Sequence, residues 1–265
     1  MNRLPLVLLH VVVLALSVSS LSQNAPASDP QALAFAAQSM TAMLGGSSVS
    51  DIALTGNATW IAGSDTETGQ ATLVARGIHE SRVDLNLSGG SRTVVRNDTG
   101  AFPSGASARG GEPLTASALH NCWISPSWFF PALSLLSLPS DPSLVVSYVG
   151  RENRRGVRVQ HLRLYRHITG QTPETVSLIR KVSTTDFYLD AATFLPVAMT
   201  FNAHPETDAN TNIAIEIDFS NYHPVNGAQV PFHIRKLISG GLALDIVLQS
   251  AVVNSGPADG LFAIE

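Results

Sequence analysis
IAIEIDFSNYHPVNGAQVPFHIRKLISGGLALDIVL, residues 213–248, carries the alternation that decides the fold. Ile213, Ile215, Ile217 and Phe219 fall on one parity; Ala214, Glu216, Asp218 and Ser220 fall on the other. Successive side chains of a strand point to opposite faces, so this is a strand with one apolar face and one solvated face. Val230, Phe232 and Ile234 begin a second strand, and Leu242, Leu244, Ile246 and Leu248 a third. Asn226-Gly227 and Gly240-Gly241 stand between them, and such residues adopt the positive φ of tight hairpins. The segment is therefore predicted to be an antiparallel meander.

Strand-like runs continue toward the N-terminus. Val197–Phe201, Asp186–Asp190 and Val176–Val182 are predicted strands, and Leu144, Val146 and Tyr148 share a face. In 157–168 the apolar parity switches from Val157 and Val159 to Leu162 and Leu164, which predicts a bulge near Gln160-His161. Ile52, Leu54, Ala58 and Trp60 share one parity, followed by Ala71, Leu73 and Ala75, then Val83, Leu85 and Leu87, then the neighbourhood of Val94. Residues 88–111 are rich in Gly, Ser and Arg and read mainly as loop. Asp29-Pro30 has the form of an N-cap and first helical residue; Leu33, Ala36, Ala37, Met40 and Leu44 form a helical stripe, and Gly45-Gly46 supplies its stop. One helix, many strands and a long meander define an α+β chain whose curved sheet needs a cover on one face.

The apolar middle is the candidate cover. Between Glu112 and Asp141 there is no Asp, Glu, Lys or Arg. Pro126, Pro131 and Pro139 oppose a single membrane-spanning helix, and His120, Asn121 and several serines interrupt the hydrocarbon. Two short helices are predicted instead. One is built on Leu114, Ala118, Leu119, Cys122 and Trp123; the other starts at Ser125-Pro126 and carries Trp128, Phe129, Phe130, Leu133, Leu136 and Leu138. Either these pieces are ordinary core, or they form a lid of short, separable parts over an apolar cavity. On the lid reading the ligand-facing candidates are Leu119, Cys122, Trp123, Trp128, Phe129, Phe130, Leu133 and Leu136.

Composition narrows the function. The chain has 265 residues, 45% hydrophobic and 14% charged, with a net charge of −4. Lys181 and Lys236 are the only lysines, which argues against a nucleic-acid partner. Arg3, the apolar run 4–18 and the small residues after it form a signal-peptide pattern over residues 1–22, and no cysteine stands near the cut for lipidation. A soluble periplasmic or secreted protein is expected. The single cysteine, Cys122, forbids an internal disulfide. No nucleophile elbow, zincin motif, phosphate loop or dinucleotide fingerprint is present. His161 and His167 share a parity but lie about 20 Å apart in an extended strand, too far for one metal. Asp208, Asn210 and Asn212 mimic the start of a calcium loop, but Ile213 stands where glycine is needed. The chain is read as non-enzymatic, without metal or cofactor.

The C-terminal third resembles the periplasmic lipoprotein carriers of the LolA type. Asp186-Phe-Tyr-Leu-Asp190, followed by Leu195-Pro196, is similar to that family's strand and turn. Tyr222, Asn226-Gly227 and Pro231-Phe232 match its hairpin in order; Asn254 and Phe262 match its closing segment. Gly69 to Gly77 is similar to its early strand, which carries a glycine and a basic residue. The resemblance implies a curved, unclosed antiparallel β-barrel of about eleven strands, with helices covering the concave face. It implies one carrier-like domain over residues 23–265. It also implies binding of lipid or lipoprotein acyl chains, with an envelope membrane protein as donor or acceptor. Arg76 and Arg82 are the candidates for the family's lid-latching arginine. A sensor or interaction module on the same fold, with no transported ligand, is the alternative; an unrecognised hydrolase ranks below both.

Overall fold
A computed structural model of the chain describes residues 26–264, so the leader predicted at 1–22 lies outside the described residues. The strands are β1 (Asp51–Ala62), β2 (Asp65–Arg76), β3 (Glu80–Leu87), β4 (Gly90–Asn97), β5 (Ser104–Arg109), β6 (Thr115–Ala116), β7 (Leu144–Arg154), β8 (Val157–Arg166), β9 (Thr185–Asp190), β10 (Pro196–Ala203), β11 (Ile213–Val225), β12 (Ala228–Ile238) and β13 (Gly241–Val253). The α-helices are α1 (Pro30–Leu44), α2 (Pro131–Leu136) and α3 (Pro173–Ser183). All strands join one sheet, in the order β6-β5-β4-β3-β2-β1-β13-β12-β11-β10-β9-β8-β7. β6 and β7 are its two edges, so the sheet is a curved barrel that does not close. Among the described residues no helix is long and apolar enough to cross a membrane.

The meander forms as the alternation predicts. Ile215, Ile217, Phe219, Ile234, Leu244 and Ile246 enter one core, while Glu216 and Asp218 face away from it and pair with arginines. Asn226 and Gly227 take φ of 49° and 86°, the double positive turn that matches strand twist. The second turn is Ser239-Gly240, at 49° and 83°, and Gly241 already belongs to β13. Curvature requires close strand approach at Gly69, where an added Cβ would meet the Asn86 carbonyl oxygen at 1.8 Å.

α1 begins as predicted. The Asp29 carboxylate accepts from the backbone N–H of Gln31 at 2.7 Å, and Gly45 closes the helix at φ 55°. Its buried stripe is Ala32, Ala36, Ser39, Met43 and Leu44, turned slightly from the predicted one, and Leu33 is exposed. α1 and the residues 129–138 share one core with the inward faces of the strands, as the need for a one-sided cover implies.

Four local expectations are corrected. The stretch 88–111 is a hairpin, β4 and β5, rather than mainly loop, which raises the strand count from about eleven to 13. Residues 176–182 lie in helix α3, capped by Thr172 and opened by Pro173, with Ile179, Val182 and Ser183 buried at helical spacing. The bulge lies in β7, between Tyr148 and Gly150, opposite His161 and Leu162. β8 itself is regular: Leu162 and Leu164 enter the main core, while Val159 packs with Tyr188 and Ala198 in a small cluster on the other face. The two helices predicted within 114–138 reduce to a 3-10 turn, Leu119–Asn121, and α2. Asn121 fixes the first piece in this form, accepting from the His204 backbone N–H at 2.9 Å and donating to its carbonyl at 2.8 Å.

The two sheet halves are tied at the C-terminus. Buried Asp51 accepts from the Ser255 N–H at 2.6 Å, the Ser255 hydroxyl at 2.8 Å and the Ser50 hydroxyl at 2.9 Å. Burial alone would raise the Asp51 carboxyl, but the bonds from Ser255, Ser50 and the Gly256 N–H outweigh it and leave it below the usual aspartate value. A carboxyl depressed on folding contributes stability above its unfolded pKa and loses it as pH falls through the folded value. Asp51→Ala is expected to cost about 2–3 kcal/mol at neutral pH. The gap between variant and wild-type urea midpoints should close below about pH 4; a gap independent of pH would contradict the charge-based role.

Candidate functional site
Beyond the edge strand β6 the chain continues in short pieces, of which 128–138 pack on the concave face, and the structure places the eight candidates in three settings. Phe129, Phe130 and Leu133 are fully buried, and Trp128 and Leu136 pack half-buried against the same core. Trp128 meets Phe129 edge to face at a centroid distance of 5.6 Å. Cys122 and Trp123 lie together beside the unclosed seam: both line a groove of about 180 Å³ with His79, Asp98, Asp141 and Arg166. Leu119 is 46% exposed and stands outside the core. The side chains that fill the concave face therefore come from α1 and from this segment, which has few regular backbone bonds of its own.

Polar latches hold that segment to the sheet. Arg96 on β4 donates to the carbonyls of Cys122 and Ile124 and is paired with Asp98 at 3.2 Å. Ser81 on β3 donates to the Pro126 carbonyl at 2.8 Å. Inside the cover, Ser134 donates to Ser125 at 2.9 Å, and Ser127 lies within reach of both. Burial pushes the Asp98 carboxyl above its usual value, with Arg96 acting against that rise. Burial also pushes up the Cys122 thiol, whose sulfur donates to the Ala118 carbonyl at 3.6 Å. That thiol is poorly suited to nucleophilic work.

Among the described residues Arg76 and Arg82 make no hydrogen bond or ion pair to the cover. Arg76 pairs with Glu80 and Asp259 and lies over the Phe262 ring; Arg82 binds Asp84 and the Leu261 carbonyl. Both clasp the closing segment, and Arg96 is the arginine that reaches the cover. Sequence reasoning missed it because the β4–β5 hairpin has no clear alternation. His161, singled out with His167, is bonded to Asp186 at 2.9 Å. Among the described residues no group of three His, Cys, Asp or Glu could hold a metal ion.

An unclosed antiparallel barrel with a segmented apolar cover on its concave side is a fold that this chain shares with solved structures. Solved structures similar to it include an outer membrane lipoprotein-sorting protein domain from Vibrio parahaemolyticus, at TM-score 0.55 and 11% identity, spanning 88% of this chain and 96% of that one. A DUF1329 family protein from Desulfovibrio piger matches at TM-score 0.52 and 12% identity, over 89% of this chain and 98% of its own. A LolA superfamily protein from Nitrosomonas europaea aligns at TM-score 0.49 and 10% identity, over 88% and 97%. No family model and no curated protein matches the sequence.

Proposed function
We propose that the chain is a non-enzymatic, exported carrier or binder of lipid or of a lipoprotein's acyl chains, which enter the concave face when the 114–138 cover lifts. The carrying observation is that Phe129, Phe130 and Leu133, all fully buried, sit on a segment divided by prolines and held by discrete polar latches. Such a segment can leave a sheet without breaking the sheet. A chain of about sixteen carbons offers roughly 12 kcal/mol of gross burial at about 0.8 per methylene. Association costs about 4–15 kcal/mol, and the displaced side chains lose burial as well. The net affinity is moderate, which suits handover to or from an envelope membrane protein.

The fold likeness supports this reading, and the sequence pattern at 1–22 supports a periplasmic or secreted location. A nucleic-acid partner has no place in it. One observation favours a sensor or interaction module instead: the concave face is already filled by the chain's own Phe129, Phe130 and Leu133. Native mass spectrometry of protein purified from an envelope fraction separates the two. The carrier reading expects one co-purified or added acyl lipid per chain. A folded protein that stays empty at saturating palmitate would overturn it in favour of the interaction module.

A further inference from the structure
Lys236 is one of two lysines in the chain, and their surroundings differ. Lys181 donates to the carbonyls of Ala209 and Asn210 at 3.1 and 3.0 Å. Lys236 has no hydrogen-bond or ion-pair partner among the described residues. It also lies on the wrong parity for a charge. Its cross-strand partners are Ile217, fully buried on β11, and Leu244, 3% exposed on β13, so Lys236 stands on the concave face. The Trp128 ring of the cover lies over its ammonium at 5.4 Å.

The same row across the sheet continues through Leu244 to Trp60 on β1 and Glu67 on β2. There a second cation, Arg92, covers the Trp60 ring at 4.7 Å and pairs with Glu67 at 2.9 Å. Arg92 and Glu67 cancel, and Lys236 leaves the row with one uncompensated positive charge. Arg92 Nε and Glu67 Oε2 are buried without partners, so polar capacity is unused here as well. An unpaired ammonium in apolar surroundings destabilises the empty protein, and burial lowers its pKa accordingly. A methionine would pack there without that cost.

We propose that Lys236 receives the anionic head, carboxylate or phosphate, of an acyl lipid whose tail lies on the concave face beneath the cover. This rests on the acyl-binding reading above. The Trp128 face holds the Lys236 ammonium from the cover side, and Lys236 selects anionic over neutral lipids.

The test uses the full mature chain, a dansylated undecanoic acid and the methyl ester of the same probe. Wild type should bind the acid about ten- to a hundredfold more tightly than the ester, the range expected for one desolvated charge-assisted bond. Lys236→Met should abolish that preference by weakening the acid alone, with ester affinity and the urea midpoint not reduced. Lys236→Arg should retain it. Displacement of the probe by palmitate alone assigns the head to a fatty-acid carboxylate; displacement by lysophosphatidic acid and not by lysophosphatidylcholine assigns a phosphate. Equal binding of acid and ester by wild type, or a preference that survives Lys236→Met, overturns the role of Lys236 while the carrier reading stands. Failure of wild type to bind either probe overturns both.

Discussion
Arg96→Ala is expected to lower stability by about 3–5 kcal/mol and to speed labelling of Cys122 by a thiol reagent under native conditions. The guanidinium is 12% exposed and the Asp98 carboxylate 16%, so neither is well solvated. Removing the cation leaves Asp98 buried with its main counter-charge gone, and burial is already the largest influence raising its pKa. The carbonyls of Cys122 and Ile124 lose a donor in the same step. Lysine cannot replace this arginine, because one ammonium does not reproduce a planar fork whose Nε donates to the Ser104 carbonyl of β5 while Nη2 reaches the cover carbonyls and Asp98. Arg96→Ala combined with Asp98→Asn should recover part of the lost stability, since the uncompensated charge is gone, but labelling should stay fast because the latch is still absent. Urea unfolding and thiol labelling measure the two effects separately. A loss below about 1 kcal/mol with unchanged labelling would mean that β4 does not latch the cover.

Phe130→Ala is expected to cost about 3–5 kcal/mol, and the cover and sheet should still unfold in one transition. Phe130 is fully buried in the cluster that holds Leu54, Leu73, Ile217 and Ile246, so its loss leaves a cavity shared by cover and sheet. Leu119→Ala, in the same apolar stretch but 46% exposed, should change stability by no more than about 0.5 kcal/mol. Circular dichroism reports the sheet, and the fluorescence of Trp123 and Trp128, read in a Trp60→Phe background, reports the cover. Coincident curves are expected; a cover transition well before the sheet transition would show that the cover is not integral to the core. The magnitude also bears on function. On the proposed function, opening exposes Phe129, Phe130 and Leu133 together and is rare in the empty protein, so an incoming acyl chain would have to supply comparable burial.

The meander was legible because one face of β11 to β13 is apolar and the other carries charge, which leaves only one register open. α1 was legible from its Asp29-Pro30 start and glycine stop. The β4–β5 hairpin was not, because its inward side at the sheet edge carries Arg92 and Arg96, which reach Glu67 on β2 and the carbonyls of the cover. α3 read as strand because valines favour extended chain, while tertiary packing of Ile179 and Val182 decided for helix. The parity switch in β8 has two buried faces as its cause, which a single sequence does not distinguish from a bulge. Within the cover, the burial of Phe129, Phe130 and Leu133 and the exposure of Leu119 had no periodic signal, since most of that backbone is irregular. Lys236 did leave a signal: it sits on the core parity set by Val230, Phe232 and Ile234.

The central claim is that the cover must lift from the sheet for an acyl chain to enter. A Cβ built on Gly105 of β5 would stand 3.2 Å from the Cys122 sulfur, close to disulfide geometry, and would displace the Arg96 latch equally in both redox forms, so that only the disulfide differs between them. Gly105→Cys should therefore bond to Cys122 on oxidation and staple the cover to β5. The measurement is tryptophan quenching by a brominated stearate, with the oxidised and reduced forms of this one variant compared. The account predicts saturable quenching in the reduced form and at least about a tenfold loss of affinity in the oxidised form, reversed by reductant. The same saturable curve in both forms would contradict it.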